Sequence, residues 1–382
     1  MIAGLTKNAI FRLTKENLQF VIKERVVYGG VSAWCEIDHS LHTTMTSDIW
    51  FPIHVNPREF NLRATLTSGQ AFRWIYNAEL NEWYGVINGT LWRLRQSDNS
   101  HSVEFHMLPN SSSLPRCQDP PDLVNYFRLN VSLSTLLTQW RTNDRQFARP
   151  VKHSLVRLDR QTSGIRLLRQ DPVETVFAFL TSANNNVTRI IQLLMRLSEA
   201  HGKPIHWPES PNIRHWQFPS LATLAQPGME DKLRAMGFGY RSTYIPAAAR
   251  WIQANGGEQR LFQLRSVSTD EAREFLMKIP GIGNKVADCI CLSALDKINV
   301  VPVDVHILRA AREREIPASA CSSLTPKSYR DISKALTTLW GDWAGWAQAI
   351  DFSVRLGASI PKRDVQSRKR KRRSENSESS SK

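Results

Sequence analysis

The stretch "LMKIPGIGNKVADCICL", residues 276–292, decides the fold of the second half of the chain. Pro280 and the two glycines of its PGIG turn end one helical pattern, and a second apolar helical pattern follows at once. Two glycines so close together allow positive φ and let the backbone approach another molecule. The stretch therefore predicts a helix–hairpin–helix motif; a plain turn between two helices is the alternative.

Capping signals delimit the two predicted helices. Ser268 followed three residues later by Glu271 forms a capping box, which starts the first helix. Asn284 is the predicted N-cap of the second helix. The turn and the start of the second helix expose backbone N–H groups, so Gly281 and Gly283 are predicted to meet a DNA phosphate.

Lys285 stands in the first turn of the second predicted helix. The helix dipole is positive there and disfavours an ammonium group, and partial burial acts in the same direction. We therefore expect a lowered pKa for Lys285. A neutral amine is a nucleophile for an electrophilic carbon, as in Schiff-base chemistry. The alternative is a surface lysine that contacts phosphate.

A carboxylate partner for this lysine follows about twenty residues later. Asp304 ends the extended apolar run "INVVPVD" and directly precedes a helical pattern, so it is a predicted N-cap. If it faces Lys285, it is placed to deprotonate the amine or to stabilise a sugar cation; capping alone is the alternative. His306, in the next turn, is a candidate phosphate contact or an ordinary histidine with local partners.

The charge of the chain indicates a polyanionic partner. Among 382 residues, 50 basic side chains oppose 35 acidic ones, which leaves a net charge of +15. Nucleic acid is the first candidate and an acidic membrane surface the second, while the apolar runs are too short to span a bilayer. Residues 361–382 carry nine Lys and Arg and are predicted to be a disordered basic tail. Its "RKRKRR" core, Arg368 to Arg373, indicates a nuclear localisation signal or a DNA tether. The alternative is a solvated basic tail without a function of its own.

The cysteines argue against a metal or a disulfide framework. There are five, scattered and odd in number, which favours a reducing compartment. Cys289 and Cys291 form a C-x-C pair without a second pair nearby, so neither a zinc nor an iron–sulfur site is expected. We predict no metal and no cofactor.

Periodicity divides the chain into an α+β architecture. Residues 1–50 are assigned neither a fold nor a function, and an organellar targeting signal is the alternative for this segment. Residues 51–157 alternate as strands do, with a hairpin at Asn88-Gly89 and two strand-like halves around Ser68-Gly69. Residues 158–360 show helical spacing. The prediction is a twisted antiparallel β-sheet domain, then an all-helical helix–hairpin–helix domain, then the basic tail.

Lys285, the PGIG turn and "VPVDVH" together resemble the helix–hairpin–helix DNA glycosylases with a catalytic aspartate. Within that superfamily the chain is most similar to the eukaryotic 8-oxoguanine DNA glycosylases. The matching stretches occur in family order across residues 51–357: "TSGQAFRW" (67–74), "GIRLLRQDP" (164–172), "SANNNVTRI" (182–190), "MGFGYRSTY" (236–244), "PGIGNKVADCICLSALDK" (280–297), "VPVDVH" (301–306) and "WAGWAQAIDFS" (343–353).

The resemblance implies a role for each matching residue. A glycosylase must extrude its target nucleotide, because the sugar carbon cannot be reached within the base stack. In the family, the lysine matching Lys285 attacks C1′, expels the oxidised base and forms an imine, and elimination then nicks the strand. The aspartate matching Asp304 assists.

A second set of residues is implied to hold the damaged base. Cys289 and Phe352 sandwich it, Gln348 and the Pro302 backbone hold its polar edge, and the carbonyl of Gly69 accepts from N7–H, which undamaged guanine lacks. By periodicity alone Phe352 is a core residue, and the Ser-Gly break is a plain strand bend.

A third set is implied to hold the opposite strand. Asn184, Arg189 and Arg241 match residues that hold the orphaned cytosine, and Tyr240 matches an inserted wedge. Without the family, Asn184 belongs to a polar loop and Tyr240 is a core residue. Asp351 departs from the family pattern, which is usually apolar there: it either tunes the rim of the pocket or points elsewhere.

The sequence therefore predicts a glycosylase and β-lyase for 8-oxoguanine opposite cytosine. A non-catalytic helix–hairpin–helix DNA-binding protein and a glycosylase for another purine lesion are the competing functions. The expected partner is double-stranded DNA containing oxidised guanine, with no membrane and a monomeric chain. The expected location is the nucleus, with the mitochondrion second.

Overall fold

A computed structural model describes residues 7–14, 17–28, 31–39, 50–97, 101–107, 120–147, 164–205, 214–317 and 323–356. The chain divides into two compact units, residues 1–49 and residues 50–382. In the first unit, three strands pair antiparallel in the order β1-β2-β3: β1 Lys7–Thr14, β2 Asn17–Tyr28 and β3 Val31–His39. The basic tail predicted at residues 361–382 lies outside the described residues.

The second unit opens with a five-stranded antiparallel sheet, as predicted for the N-terminal half of the fold. The strand order is β4-β8-β7-β6-β5. The strands are β4 Phe51–His54, β5 Ile75–Asn77, β6 Glu82–Ile87, β7 Thr90–Arg95 and β8 Ser102–Met107. Asn88 and Gly89 join β6 to β7 with φ of 49° and 78°, the conformation for which an Asn-Gly pair is favoured. The predicted hairpin is confirmed.

One predicted strand is wrong. The segment before Ser68 forms a short helix, Leu62–Leu66, where alternation predicted a strand. The Asn61 side chain caps this helix by accepting from the Ala64 amide, and four of its five residues are buried. Because the segment is surrounded by core on several sides, its apolar residues do not need to alternate.

Helices dominate from residue 121 onward, so the first of them fall within residues 51–157, which alternation had assigned to the sheet domain. They are α2 Pro121–Tyr126, α3 Leu133–Asn143, α4 Pro172–Ser182, α5 Val187–His201, α6 Leu221–Leu224, α7 Met229–Ala235, α8 Arg241–Ala254, α9 Gly257–Gln263, α10 Thr269–Met277, α11 Asn284–Ala294, α12 Val305–Glu313, α13 Pro326–Trp340 and α14 Ala344–Leu356, with Leu62–Leu66 as α1. A two-strand ribbon, β9 Pro204–Ile205 and β10 His215–Trp216, lies between α5 and α6. The predicted α+β class is confirmed.

Two apolar cores meet at helix α11. Ala287, Ile290 and Cys291 pack into a core with α4, α8 and α10, whereas Leu292 belongs to a second core with α12, α13 and α14. Fully burying such side chains stabilises the fold by about 1.5–3 kcal/mol for each large one. The start of α11, with Lys285, is thereby held firmly against both groups of helices. Among the described helices, none has the length and apolarity required to span a membrane.

Candidate active site

The PGIG turn joins α10 to α11 as a helix–hairpin–helix. Gly281 and Gly283 are both exposed. Gly281 has φ of 86°, and a Cβ there would lie 2.8 Å from Cγ of Tyr244, so no other residue fits without strain. The position is open to solvent on its other side, as the predicted phosphate contact requires.

The N-cap of α11 differs from the prediction by one residue. Gly283 is the N-cap, and Asn284 is the first helical residue. Gly283 makes no side-chain cap bond, so the amides at this helix start are left for another acceptor. For α10, the Ser268 side chain accepts from the Glu271 amide as predicted, while the Glu271 carboxylate pairs with Arg260 at 3.2 Å.

Lys285 reaches from the first turn of α11 into a partly buried place. Its Nζ lies 5.6 Å above the ring centroid of Phe179, a buried residue of α4. It also interacts with the Cys289 sulfur, one turn further along α11, and with the Asp304 carboxylate. The structure thus brings together Lys285, Cys289 and Asp304, three of the predicted site residues.

The expected lowering of the Lys285 pKa is wrong in direction. Cys289 raises the pKa of Lys285 most strongly and Asp304 raises it further, while burial opposes both. Burial raises the pKa of the Cys289 thiol, and Lys285 opposes that shift. The Cys289 sulfur and the Asp304 carboxylate together favour the charged amine more than burial disfavours it. The resting side chain is therefore an ammonium ion that needs a proton acceptor.

Asp304 is the N-cap of α12, as predicted. Its Oδ1 accepts from the amides of His306 and Ile307, each at 2.9 Å. Both capping bonds end on Oδ1, and no described side chain or amide donates to Oδ2. Capping and a catalytic role are therefore compatible, because each uses a different oxygen of the same carboxylate.

His306 and Phe352 form a second contact at the site. Their ring centroids are 5.5 Å apart at an interplanar angle of 88°, an edge-to-face pair between α12 and α14. Phe352 is partly buried and packs against the edge of the second core, so both interpretations of this residue stay open. Gln348, one turn earlier on α14, and Pro302 are buried.

The loop of Gly69 is held by the segment that follows Gly164. Gly69 has φ of 86°. The neighbouring Gln70 amide donates to the Arg166 carbonyl at 3.0 Å, and its oxygen accepts from the Leu168 amide at 3.1 Å. Arg166 in turn lies 4.7 Å over the ring of Trp346, two residues before Gln348. The loop is thereby anchored to α14, although no hydrogen bond between described residues joins Gly69 or Gln348 to Lys285.

The predicted contacts with the opposite strand lie around the loop between α4 and α5. Asn184 is exposed with φ of 49°. Arg241, which is 5% exposed, donates to the carbonyls of Ala183 and Asn184 and stacks 4.5 Å from the Tyr240 ring. Its guanidinium therefore holds the loop in shape. Arg189 is exposed and donates to the Gly237 carbonyl at 3.0 Å.

Tyr240 is exposed, which excludes its interpretation as a core residue. Its side chain is 51% exposed, and its hydroxyl donates to the Ala183 carbonyl at 3.0 Å. The aromatic ring stands edge-to-face against Tyr244 at 6.2 Å. Exposed aromatic rings beside a helix–hairpin–helix turn suit stacking against bases.

Asp351 is engaged in buried ion pairs with two arginines. It is 1% exposed and accepts from Arg314 at 3.2 Å and from Arg355 at 2.9 Å. Arg314 also pairs with Asp144 at 2.8 Å, and Arg355 with Glu313 at 2.7 Å. Asp351, where the family usually has an apolar residue, is therefore part of a buried ion-pair network. This network, the Asp351 network, connects α14 to α12 and α3.

Sequence reasoning missed Phe179 and the residues that support the site. Phe179 reads as one more apolar residue of α4, and only the fold places its ring under Lys285. Asp288 and Tyr329, which bond to each other at 2.7 Å, were also missed. A polar residue within the apolar face of α11 was the one signal that pointed to Asp288.

An exposed helix–hairpin–helix turn, a lysine at the following helix start and a carboxylate close enough to influence it are the features expected of a helix–hairpin–helix DNA glycosylase. Residues 52–176 match the model of the 8-oxoguanine DNA glycosylase N-terminal domain. The N-glycosylase/DNA lyase OGG1 of Arabidopsis thaliana is 33% identical over 324 residues, which is 84% of this chain and 84% of that protein. The chain therefore belongs to the 8-oxoguanine DNA glycosylase family, as its motifs indicated.

A second relative and one solved structure are also similar to this chain. The N-glycosylase/DNA lyase of Saccharomyces cerevisiae is 32% identical over 341 residues, covering 80% of this chain and 86% of that protein. Among solved structures, the 8-oxoguanine glycosylase/lyase of Clostridium acetobutylicum has a TM-score of 0.66 at 22% identity, covering 83% of this chain and all of that one. The last comparison supports the fold.

Proposed function

We propose that this protein is a bifunctional DNA glycosylase and β-lyase that removes 8-oxoguanine from duplex DNA where it lies opposite cytosine. The glycosylase and lyase activities expected from the sequence agree with the family, whose curated members are named N-glycosylase/DNA lyase. The observation that carries the proposal is the interaction of Lys285 with Asp304, each at the start of its helix.

The proposed chemistry begins with a proton transfer. Because the resting Lys285 side chain is an ammonium ion, Asp304 Oδ2 takes a proton, and the free amine attacks C1′ of the everted nucleotide. The C1′–N9 bond breaks, and its electron pair leaves with the base, which takes up a proton. The nitrogen then gives up a proton and its lone pair forms the C1′=N double bond. At the same time the C1′–O4′ bond breaks and O4′ takes up a proton, so the sugar ring opens to a protonated imine.

The lyase step follows from the imine. Loss of a proton from C2′ and departure of the 3′ phosphate break the strand on the 3′ side of the lesion. Lys285 is regenerated when water hydrolyses the imine. A reducing agent such as borohydride intercepts the imine and leaves a stable protein–DNA adduct.

We assign the discrimination between 8-oxoguanine and guanine to Gly69, Cys289, Pro302, Gln348 and Phe352. The Gly69 carbonyl would accept from N7–H of 8-oxoguanine and repel the lone pair of N7 in guanine. The left-handed conformation of Gly69 and the anchoring of its loop support a fixed carbonyl. Phe352 and Cys289 would stack on the two faces of the base, with Gln348 and the Pro302 backbone at its edge.

The proposed partner is duplex DNA, which a single copy of the chain would bind. The Clostridium acetobutylicum relative was solved in complex with dsDNA containing cytosine opposite 8-oxoG. The exposed Gly281 and Gly283, together with His306, would contact phosphate. The orphaned cytosine would be held by Asn184, Arg189 and Arg241. Tyr240 would fill the space that the everted base leaves in the stack. Nuclear localisation is proposed from residues 368–373, which lie outside the described residues.

The experiment compares Lys285→Gln with a matched lysine variant of the same hairpin. Lys278→Gln is the control, because Lys278 is an exposed lysine at the end of α10, paired with Glu274. Both variants and the wild type are incubated with duplexes carrying 8-oxoguanine opposite each of the four bases, and borohydride is added. We expect adducts with wild type and Lys278→Gln, strongest opposite cytosine, and none with Lys285→Gln.

Binding is measured in parallel by fluorescence anisotropy on the same duplexes. Lys285→Gln should keep DNA affinity within about threefold of the wild type, because a single cation is lost. An adduct of equal yield with Lys285→Gln would place the nucleophile elsewhere. Binding by the wild type without base release on any lesion would favour the non-catalytic alternative.

A further inference from the structure

A buried tyrosine hydroxyl connects the two chain segments that carry Lys285 and Asp304. Tyr329 lies in the first turn of α13 and is 7% exposed. Its hydroxyl donates to Oδ2 of Asp288 at 2.7 Å and accepts from the Val303 amide at 3.4 Å. One oxygen atom thus bridges helix α11 and the extended segment that ends at Asp304.

Asp288 holds the other end of this bridge. It is fully buried in α11, one turn beyond Lys285. Its Oδ1 accepts from Arg273 Nε at 2.7 Å, and Arg273 belongs to α10. Burial raises the pKa of Asp288, while Arg273 and the Tyr329 hydroxyl oppose that shift. Both oxygens of the buried carboxylate have partners, and the pair with Arg273 ties the two helices of the hairpin together.

The position of Val303 gives this bridge a consequence for the site. Val303 is buried and directly precedes Asp304, so a hydrogen bond to its amide limits the movement of the Asp304 N-cap. On the other side, Asp288 is three residues from Lys285 in the same helix. The Tyr329 hydroxyl therefore spans the gap between the backbone of the nucleophile and the backbone of the carboxylate.

We infer that Tyr329 is a positioning residue that sets the separation of Lys285 and Asp304. The inference rests on the proposed function. Tyr329 touches neither reacting group, but it fixes the two backbones from which they extend. Reaction rates depend steeply on this kind of placement, since an error of about 1 Å costs about a hundredfold. DNA binding uses other surfaces and should not depend on the hydroxyl.

The test is Tyr329→Phe, which removes one oxygen and keeps the ring. Tyr84→Phe is the matched control: Tyr84 is also buried and also donates to a carboxylate, Glu82, but it lies in the sheet strand β6. Both variants lose a tyrosine–carboxylate hydrogen bond in the core, so both should lower the melting temperature. Single-turnover base excision and borohydride trapping are measured on duplex DNA with 8-oxoguanine opposite cytosine, alongside the Kd for that DNA.

We expect Tyr329→Phe to slow excision and trapping by about tenfold or more, with Kd within about twofold of the wild type. Tyr84→Phe should keep wild-type rates. The inference is overturned if Tyr329→Phe retains the wild-type rate, or if Tyr84→Phe slows the reaction equally, because general destabilisation would then explain the loss. Absence of excision and trapping by the wild type itself would overturn the proposed function, and the inference with it.

Discussion

Replacing Asp351 with asparagine should measure how much the Asp351 network contributes to the free energy of unfolding. Asparagine has nearly the same shape, so the packing of α14 stays intact and only the charge is lost. The carboxylate accepts from Arg314 at 3.2 Å and from Arg355 at 2.9 Å, and it is 1% exposed. Removing one member of such a buried cluster leaves two cations with one acidic partner fewer.

The magnitude follows from what each arginine retains. Removing one partner of a buried ion pair costs about 3–5 kcal/mol, because a charge is left without compensation. Arg314 keeps Asp144 at 2.8 Å, and Arg355 keeps Glu313 at 2.7 Å. Neither arginine is stranded, so we expect the lower end of that range, a loss of about 3 kcal/mol in the free energy of unfolding.

Denaturant titration followed by tryptophan fluorescence measures this loss. Asp331→Asn is the control, because Asp331 is exposed on α13 and its replacement should change stability by less than about 0.5 kcal/mol. The loss at Asp351 should persist in 1 M salt, since buried pairs are screened far less than exposed ones. A loss below about 1 kcal/mol, or one that salt abolishes, would refute the network as a stabilising element.

Three further outcomes are expected. Cys289→Ala removes the largest influence that raises the pKa of Lys285, so the rising limb of the pH dependence of borohydride trapping should move to lower pH. The substrate for this pH titration is a duplex with an abasic site, because it has no base for Cys289 to hold. Asp304→Asn keeps a capping oxygen but not the proton acceptor, so trapping at pH 7 should fall by about a hundredfold or more while the melting temperature changes little. Tyr240→Ala should weaken binding to lesion duplex in an anisotropy titration with little loss of stability, because the side chain is half-exposed; unchanged affinity would exclude a wedge role.

Local signals explain why much of the fold was predictable. The Asn88-Gly89 turn, the cap at Ser268 and the helix break at Pro280 each depend on a few consecutive residues, and the structure has all three. The segment before Ser68 was the exception, since alternation over five residues fits a buried helix as well as a strand. Where the pattern was short, packing decided.

By itself, the sequence determined the helix–hairpin–helix turn, the placement of Lys285 and Asp304 at helix starts and, through its ordered motifs, the family. A few consecutive residues determine each of these local features, because turns, caps and helix ends depend on local backbone conformation. The tertiary structure alone decided the sign of the Lys285 pKa shift, the ring of Phe179 beside its amine, the partners of Asp351 and the Tyr329 bridge. Each of these joins residues that are distant along the chain or depends on the balance of burial against nearby charge, which is fixed only when the helices pack.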